Sequence, residues 1–117
     1  MPPRASHECN QYVCVALLWG SIPASLGNAS ELARLDLSMN ALTGSIPEAL
    51  GNASDLAEIR LSRNKLGGII PLSFGALPLL RTLSLDKNSL RGTAPDWLAT
   101  HPCLREVDIS ANKLTVG

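Results

Sequence analysis

The chain has 117 residues, enough for one domain or part of one, and 45% of them are hydrophobic while only 3% are aromatic. Ten basic and ten acidic residues give a formal net charge of zero. This argues against a nucleic-acid-binding domain, which usually has a basic excess, and against a disordered charged tail. The longest apolar run, Val13 to Trp19, is too short for a membrane-spanning helix, and the acidic residue before it argues against a signal peptide.

From residue 21 onwards the sequence repeats with a period of 24 residues. Residues 21–44 and 45–68 are identical at 15 of 24 positions, and the spacing continues without insertion. A fixed period of this length is typical of a solenoid. We therefore predict four consecutive 24-residue units over 21–117, the last of them truncated, and a degenerate N-terminal cap or repeat over 1–20.

Each unit contains a short stretch in which apolar and polar residues alternate, as Leu35 and Leu37 alternate with Arg34 and Asp36. This is strand spacing, and equal units place such strands side by side in a parallel sheet. The return segment is rich in Gly and Pro, which favours short helical or 3₁₀ turns and extended segments, with tight bends at Gly27, Gly51 and Gly75. Continued backwards, the period places Val13 at the position of Leu37, and Gly20 at that of Gly44.

An asparagine recurs once per unit, directly after the strand. Its amide can both donate and accept hydrogen bonds, so it can satisfy the backbone groups of the turn that follows. Stacked copies would form a ladder through the solenoid, and direct contact with a ligand is the less favoured alternative. The residues are Asn40, Asn64, Asn88 and Asn112.

The segment Leu32–Gly51 reads LARLDLSMNALTGSIPEALG, and an Ile-Pro step recurs at Ile22-Pro23, Ile46-Pro47 and Ile70-Pro71. This pattern resembles the plant-type leucine-rich repeat of receptor-like kinases and receptor-like proteins. The resemblance implies an α/β solenoid, a horseshoe segment with a parallel sheet on its concave face and short turns on its convex face. It also implies a non-enzymatic module, extracellular or at the plasma membrane, that binds a protein or peptide ligand, with a co-receptor as a further candidate partner.

Two other functions stay open from the sequence. One is a secreted inhibitor of cell-wall-degrading enzymes, and the other is a truncated product without independent function. Nothing in the sequence visibly covers Leu104, Val107, Ile109 and Leu114, which suggests that the chain is a fragment of a longer array.

The resemblance also suggests a disulfide between Cys9 and Cys14 in an N-terminal cap, with two free thiols as the alternative. We expect Cys103 to be packed and inert, with a free or intermolecular thiol as the alternative. Asn28-Ala29-Ser30 and Asn52-Ala53-Ser54 satisfy the N-glycosylation rule. Alternatively, these residues cap a short helical turn.

No catalytic constellation is found, so we predict neither an enzyme nor a cofactor. The two His and three Cys residues do not have metal-ligand spacing, and His101 is expected to be an exposed turn residue.

The remaining candidate site is the outward face of the strands. The period places Arg34 beside Glu58 and Asp36 beside Arg60. One interpretation is therefore a solvated, salt-bridged surface without a binding role. The functional interpretation is a concave docking face. Its candidate residues are Arg34, Asp36, Glu58, Arg60, Arg63, Arg81, Lys87, Arg105 and Asp108.

Overall fold

The computed structural model describes residues 12–14 and 19–115, and over these the period appears as stacked rungs. We define the first to fourth rungs as residues 21–44, 45–68, 69–92 and 93–115. The strands are β1 (Tyr12–Cys14), β2 (Trp19–Ser21), β3 (Arg34–Asp36), β4 (Ala41–Thr43), β5 (Glu58–Arg60), β6 (Thr82–Ser84), β7 (Arg91–Thr93), β8 (Glu106–Asp108) and β9 (Lys113–Thr115). The helical segments are the 3₁₀ helices Ala24–Asn28, Glu48–Asn52 and Leu72–Ala76, and the α-helix α1, Trp97–Thr100.

The main sheet has the strand order β1-β3-β5-β6-β8, and every pair in it is parallel. Leu35 is in register with Ile59, Ile59 with Leu83, and Leu83 with Val107. Each of these steps is 24 residues, so the predicted parallel sheet is confirmed. Each 3₁₀ helix follows a proline, which cannot donate to a strand ladder.

The core is one continuous aliphatic cluster that runs through the rungs. Leu35, Ile59 and Leu83 are fully buried because each lies between two neighbouring strands. Val107, at the same position of the fourth rung, is 42% exposed. Since β8 has a neighbour on one side only in the described sheet, its apolar side chains are covered on one side only.

The recurring asparagines connect adjacent rungs as well as their own turns. The Asn64 amide nitrogen donates to the carbonyl of Leu61 in its own rung, at 3.1 Å, and to that of Leu37 in the rung before, at 2.9 Å. Its Oδ1 accepts from the N–H of Leu42 at 3.1 Å. Asn88 and Asn112 repeat these contacts one and two rungs later.

The predicted short 3₁₀ turns are confirmed at Gly27, Gly51 and Gly75, but these glycines do not supply the backbone freedom expected of a tight bend. These glycines lie inside or at the 3₁₀ helices, and none of them has a positive φ. They are small because the next rung packs against them: a Cβ on Gly75 would lie 2.7 Å from Cγ of Trp97. The glycines with positive φ occupy a different position, in or directly after a short second strand, or at the equivalent place of the second rung. They are Gly20, Gly44, Gly68 and Gly92.

The backward extension of the period is only partly right. Val13 pairs with Leu35 and not with Leu37. Gly20, with φ +93°, has the positive φ of Gly44, at +78°, as expected for equivalent positions. The segment between strand and glycine is therefore two residues shorter before the first rung than within it.

Two expectations about the loop of the fourth rung are also wrong. Cys103 is a free, exposed cysteine and is not packed. His101 is partly buried: its Nδ1 accepts from the N–H of Cys103 at 3.2 Å, so its Nε2 carries the proton and donates to the carbonyl of Leu77 at 2.7 Å. The Cys9–Cys14 pairing lies outside the described side chains.

Candidate ligand-binding face

The outward side chains of the main sheet form a concave, charged face with Glu58 at its centre. The Glu58 carboxylate lies 3.2 Å from Nε of Arg34, 3.4 Å from a guanidinium nitrogen of Arg60 and 3.5 Å from one of Arg81. Its side chain is 17% exposed, while the three arginines are 39–59% exposed. One largely buried carboxylate thus holds three guanidinium groups that remain partly exposed.

The second expected ion pair does not form as the sequence predicts. Asp36 and Arg60 are in register on neighbouring strands, but Arg60 turns to Glu58 within its own strand. The Asp36 carboxylate instead accepts a hydrogen bond from the N–H of Ser38 at 3.1 Å. Arg60 therefore pairs with Glu58, while Asp36 is satisfied by its own turn.

A depression of about 490 Å³ lies beside this cluster, over strands β6 and β8. Its polar lining combines the guanidinium groups of Arg60 and Arg105 with the carboxylates of Glu106 and Asp108. The hydroxyl of Ser110, at 2.6 Å, and its N–H, at 3.0 Å, both donate to the Asp108 carboxylate. These bonds lower the pKa of Asp108 from its ordinary value, and Lys87 adds a smaller contribution in the same direction.

A row of residues with left-handed backbone follows the strands, one before each ladder asparagine. Met39, Arg63, Lys87 and Ala111 have φ between 55° and 59°. All four are exposed, so this row forms the rim of the concave face. The backbone N–H of Arg63 donates to the carbonyl of Asp86 in the next rung, and that of Lys87 donates to Ser110, which holds the rim in place.

The predicted site residues fall into three groups. Arg34, Glu58, Arg60 and Arg81 form the ion-pair cluster, Arg105 and Asp108 line the depression together with Arg60, and the remaining residues belong to neither set. That last group consists of Asp36, Arg63 and Lys87, at or near the rim. Glu106 and Ser84 also line the depression, and their places in the period put them on the same outward face of the strands.

The sequons lie on the loop that leads from each 3₁₀ helix back to the main sheet. Asn28 and Asn52 end their 3₁₀ helices and are exposed, as are Ser30 and Ser54. Neither helix has a side-chain cap at its N-terminal residue.

Other chemistry is limited in the part of the chain that the structure describes. Over residues 12–14 and 19–115, no three His, Cys, Asp or Glu side chains are grouped so that they could hold a metal ion. None of the helices in these ranges is long and apolar enough to cross a membrane.

The stacked rungs, parallel concave sheet and asparagine ladder define a leucine-rich solenoid with a charged concave face. Family profiles agree, since the profile described as Leucine rich repeat matches residues 54–114 and a second Leucine Rich Repeat profile matches residues 31–53. The chain belongs to the leucine-rich repeat family, and its repeats are of the plant type. A search of curated proteins gives no match.

Several solved structures are similar to the chain over most of its length. The plant peptide hormone receptor RGFR1 in complex with RGF2 is 36% identical with a TM-score of 0.81, over 84% of this chain and 16% of that one. The BIR3–SERK2 complex from Arabidopsis thaliana is 34% identical with a TM-score of 0.80, over 94% of this chain and 61% of that one. A plant ice-binding protein is 32% identical with a TM-score of 0.78, over 92% and 37%. The chain therefore spans less than two thirds of each of these proteins, and proteins with different functions share its fold.

Proposed function

We propose that this chain is a non-enzymatic recognition module, part of the extracellular repeat domain of a plant receptor-like kinase or receptor-like protein. Its ligand would be a protein or peptide that binds on the concave face. The observation that carries the proposal is the cluster of Arg34, Arg60 and Arg81 around Glu58, next to the depression over β6 and β8. Arginine is enriched at the energetic centres of protein interfaces, and its fork of donors suits backbone carbonyls and carboxylates.

The similar structures support this proposal. RGFR1 is a peptide hormone receptor in complex with RGF2, and BIR3 is in complex with SERK2. The small share of RGFR1 that the chain covers, and the exposure of Val107, support a place within a longer array. A concave face without catalytic groups would act by complementary shape and charge, with affinity that falls as salt rises.

Peptide selection against the immobilised chain tests the concave face. Random linear peptides displayed on phage are enriched on the wild-type protein, and the enriched peptides are then titrated against the double variant Arg60→Glu, Arg63→Glu. We expect these charge reversals to weaken binding strongly and to leave the chain folded, with a modest fall in the melting midpoint because Arg60→Glu removes an ion pair with Glu58. The matched control is Arg91→Glu, which reverses an exposed arginine on β7, outside the main sheet. Enriched peptides that bind both variants equally, or no enrichment at all, would contradict the proposal.

The flanking coding sequence tests the receptor assignment separately. A membrane-spanning segment followed by kinase motifs supports a receptor kinase. A stop codon after a cysteine-bearing cap supports the secreted inhibitor instead.

We also propose Asn28 and Asn52 as glycan acceptors when the chain passes through the secretory pathway. The exposure of both asparagines and of their serines supports this. Expression behind a secretion signal in plant cells should give a mass shift that endoglycosidase removes. The variants Asn28→Gln and Asn52→Gln should each remove one glycan, and an unglycosylated secreted protein would refute the idea.

A further inference from the structure

Along one flank of the solenoid, the types of exposed residues change between the second and the third rung. This flank is the loop that enters each strand of the main sheet from the convex side. In the first and second rungs, Glu31 and Asp55 hold an exposed position of this loop. The equivalent residues of the third and fourth rungs are Leu79 and Cys103, which are also exposed.

A second position in the same loop changes at the same point. Ala33 and Ala57 occupy it in the first two rungs, and Arg81 and Arg105 occupy it in the last two. The fold does not require the change, because the backbone is bonded alike throughout. The N–H of Arg81 donates to the carbonyl of Ala57 at 2.9 Å, as the N–H of Ala57 donates to Ala33 at 2.8 Å.

The altered half of the flank is a shallow depression of about 560 Å³, which we call the flank patch. It is lined by Leu79, Arg81, Pro102, Cys103, Arg105 and Glu106. Leu79 is 52% exposed, and Pro102 and Cys103 are exposed beside it. Exposed apolar groups next to one another are typical of interaction sites.

The charges of the flank patch are unbalanced. Arg81 is tied to Glu58 on the concave side at 3.5 Å, but its side chain is still 54% exposed. Arg105 has no ion-pair partner among residues 19–115, and Glu106 is the one carboxylate in the lining. Arg81 and Arg105 directly precede the paired strands β6 and β8 and line the same depression, where like charges repel. A carboxylate placed between the two guanidinium groups would relieve that repulsion through charge-assisted hydrogen bonds.

We propose that the flank patch is a second docking surface, for a protein segment in which an apolar side chain is flanked by carboxylates. The apolar side chain contacts Leu79 and Pro102, and a carboxylate binds Arg105 and Arg81. The first two rungs exclude such a segment, because Glu31 and Asp55 repel carboxylates and offer no apolar contact. Both sequons also lie on those rungs, so carbohydrate at Asn28 or Asn52 would leave the flank patch uncovered.

Titration with short peptides, followed by amide chemical shifts in NMR spectra of the full chain, tests this surface. The probe is the tripeptide Asp-Leu-Asp with both ends blocked, and the controls are Lys-Leu-Lys and Asp-Ala-Asp. We expect saturable shifts confined to residues 78–81 and 102–106 with Asp-Leu-Asp, weaker ones with Asp-Ala-Asp and none with Lys-Leu-Lys. Equal shifts with all three peptides would overturn the proposal.

Two variants replace a flank-patch residue with the residue that the second rung has at the equivalent position. The fold already accommodates that residue there. Leu79→Asp and Arg105→Ala should each weaken the peptide about tenfold, the loss of one charge-assisted or apolar contact. Glu31→Ala, on the opposite half of the flank, should bind like the wild type. Unchanged binding by both flank-patch variants would overturn the proposal. So would shifts at residues 82–84 and 107–108 of the concave depression without shifts at 78–79 and 102–103, which would leave the proposed function standing. Shifts that appear on concentrating the chain alone would also overturn the proposal, because they would identify a second copy as the occupant.

Discussion

The side-chain nitrogen of Asn64 lies 2.9 Å from the carbonyl oxygen of Leu37, 27 residues earlier in the chain. Leu37 belongs to the rung before, so this bond joins two rungs through a buried amide that is 8% exposed. The other side of the same amide accepts from Leu42 in that preceding rung. A single polar side chain therefore fixes the spacing of two rungs at the point where each strand turns.

Replacing Asn64 with Ala should lower the free energy of unfolding by about 1–3 kcal/mol, because it leaves buried carbonyl and N–H groups unpaired. Urea denaturation followed by circular dichroism measures this. The control is Asn52→Ala, an exposed asparagine, which should change stability by less than about 0.5 kcal/mol. Equal stabilities for the two variants would refute the stabilising role of the ladder.

Most of the fold follows from the 24-residue period. The equal 24-residue spacing is sufficient to predict a parallel sheet, with Leu35, Ile59, Leu83 and Val107 at equivalent positions. It also fixes the register, because a shift of one residue would turn these apolar side chains towards solvent. The N-terminal register is not recoverable in this way. The residues before the first rung lack the leucine pattern, so nothing in the sequence marks the two-residue shortening that pairs Val13 with Leu35.

The site is less predictable than the fold. The period places Arg34, Glu58, Arg60 and Arg81 on one face, but long side chains choose among several partners within reach. Arg60 therefore pairs with Glu58 and not with Asp36, which its backbone register suggests. The exposure of Cys103, by contrast, follows the period, because Glu31, Asp55 and Leu79 at the equivalent position are also exposed.

Glycine in the 3₁₀ helices should be required for close packing and not for backbone freedom. A Cβ on Gly51 would lie 2.9 Å from the carbonyl oxygen of Ser73 in the next rung. We expect Gly51→Ala to destabilise the chain by about 1–3 kcal/mol through this overlap, measured as a shift in the urea midpoint. Gly67→Ala is the matched control, since its Cβ would have no atom within 4 Å. A destabilisation at Gly67 as large as that at Gly51 would refute the packing explanation.

The left-handed rim residues should be strained, and glycine should relieve the strain. Ala111 has φ 55°, a conformation that costs about 1–2 kcal/mol for a residue with a Cβ. Ala111→Gly should therefore raise stability by about 0.5 kcal/mol, after the greater flexibility of unfolded glycine is subtracted. Ala76→Gly, in a 3₁₀ helix without positive φ, should lower it. Thermal melts of both variants give the signs, and a loss of stability at both positions would contradict the prediction.

The turn after β8 should be sensitive to acid. The pKa of Asp108 is lowered because the hydroxyl and the N–H of Ser110 both donate to its carboxylate. These bonds stabilise the folded turn above the ordinary aspartate pKa and are lost as pH falls through the lowered value. Ser110→Ala should move the pKa of Asp108 upwards, measured from carboxyl carbon shifts in an NMR titration. Ser30→Ala, a distant exposed serine, should leave it unchanged, and an unmoved pKa in Ser110→Ala would show that its hydroxyl has no effect.

Glu58 should contribute modestly to stability and strongly to the arrangement of the concave arginines. Glu58→Ala removes three ion pairs of 3.2–3.5 Å at once. Because the arginines are largely exposed, the expected loss is only about 1 kcal/mol, and it should shrink as salt screens the pairs. Denaturation at low and high salt measures both effects, and Glu31→Ala, with no arginine in contact, is the control. A loss that does not depend on salt would mean that Glu58 acts through packing, and the arginine cluster would then not depend on its charge.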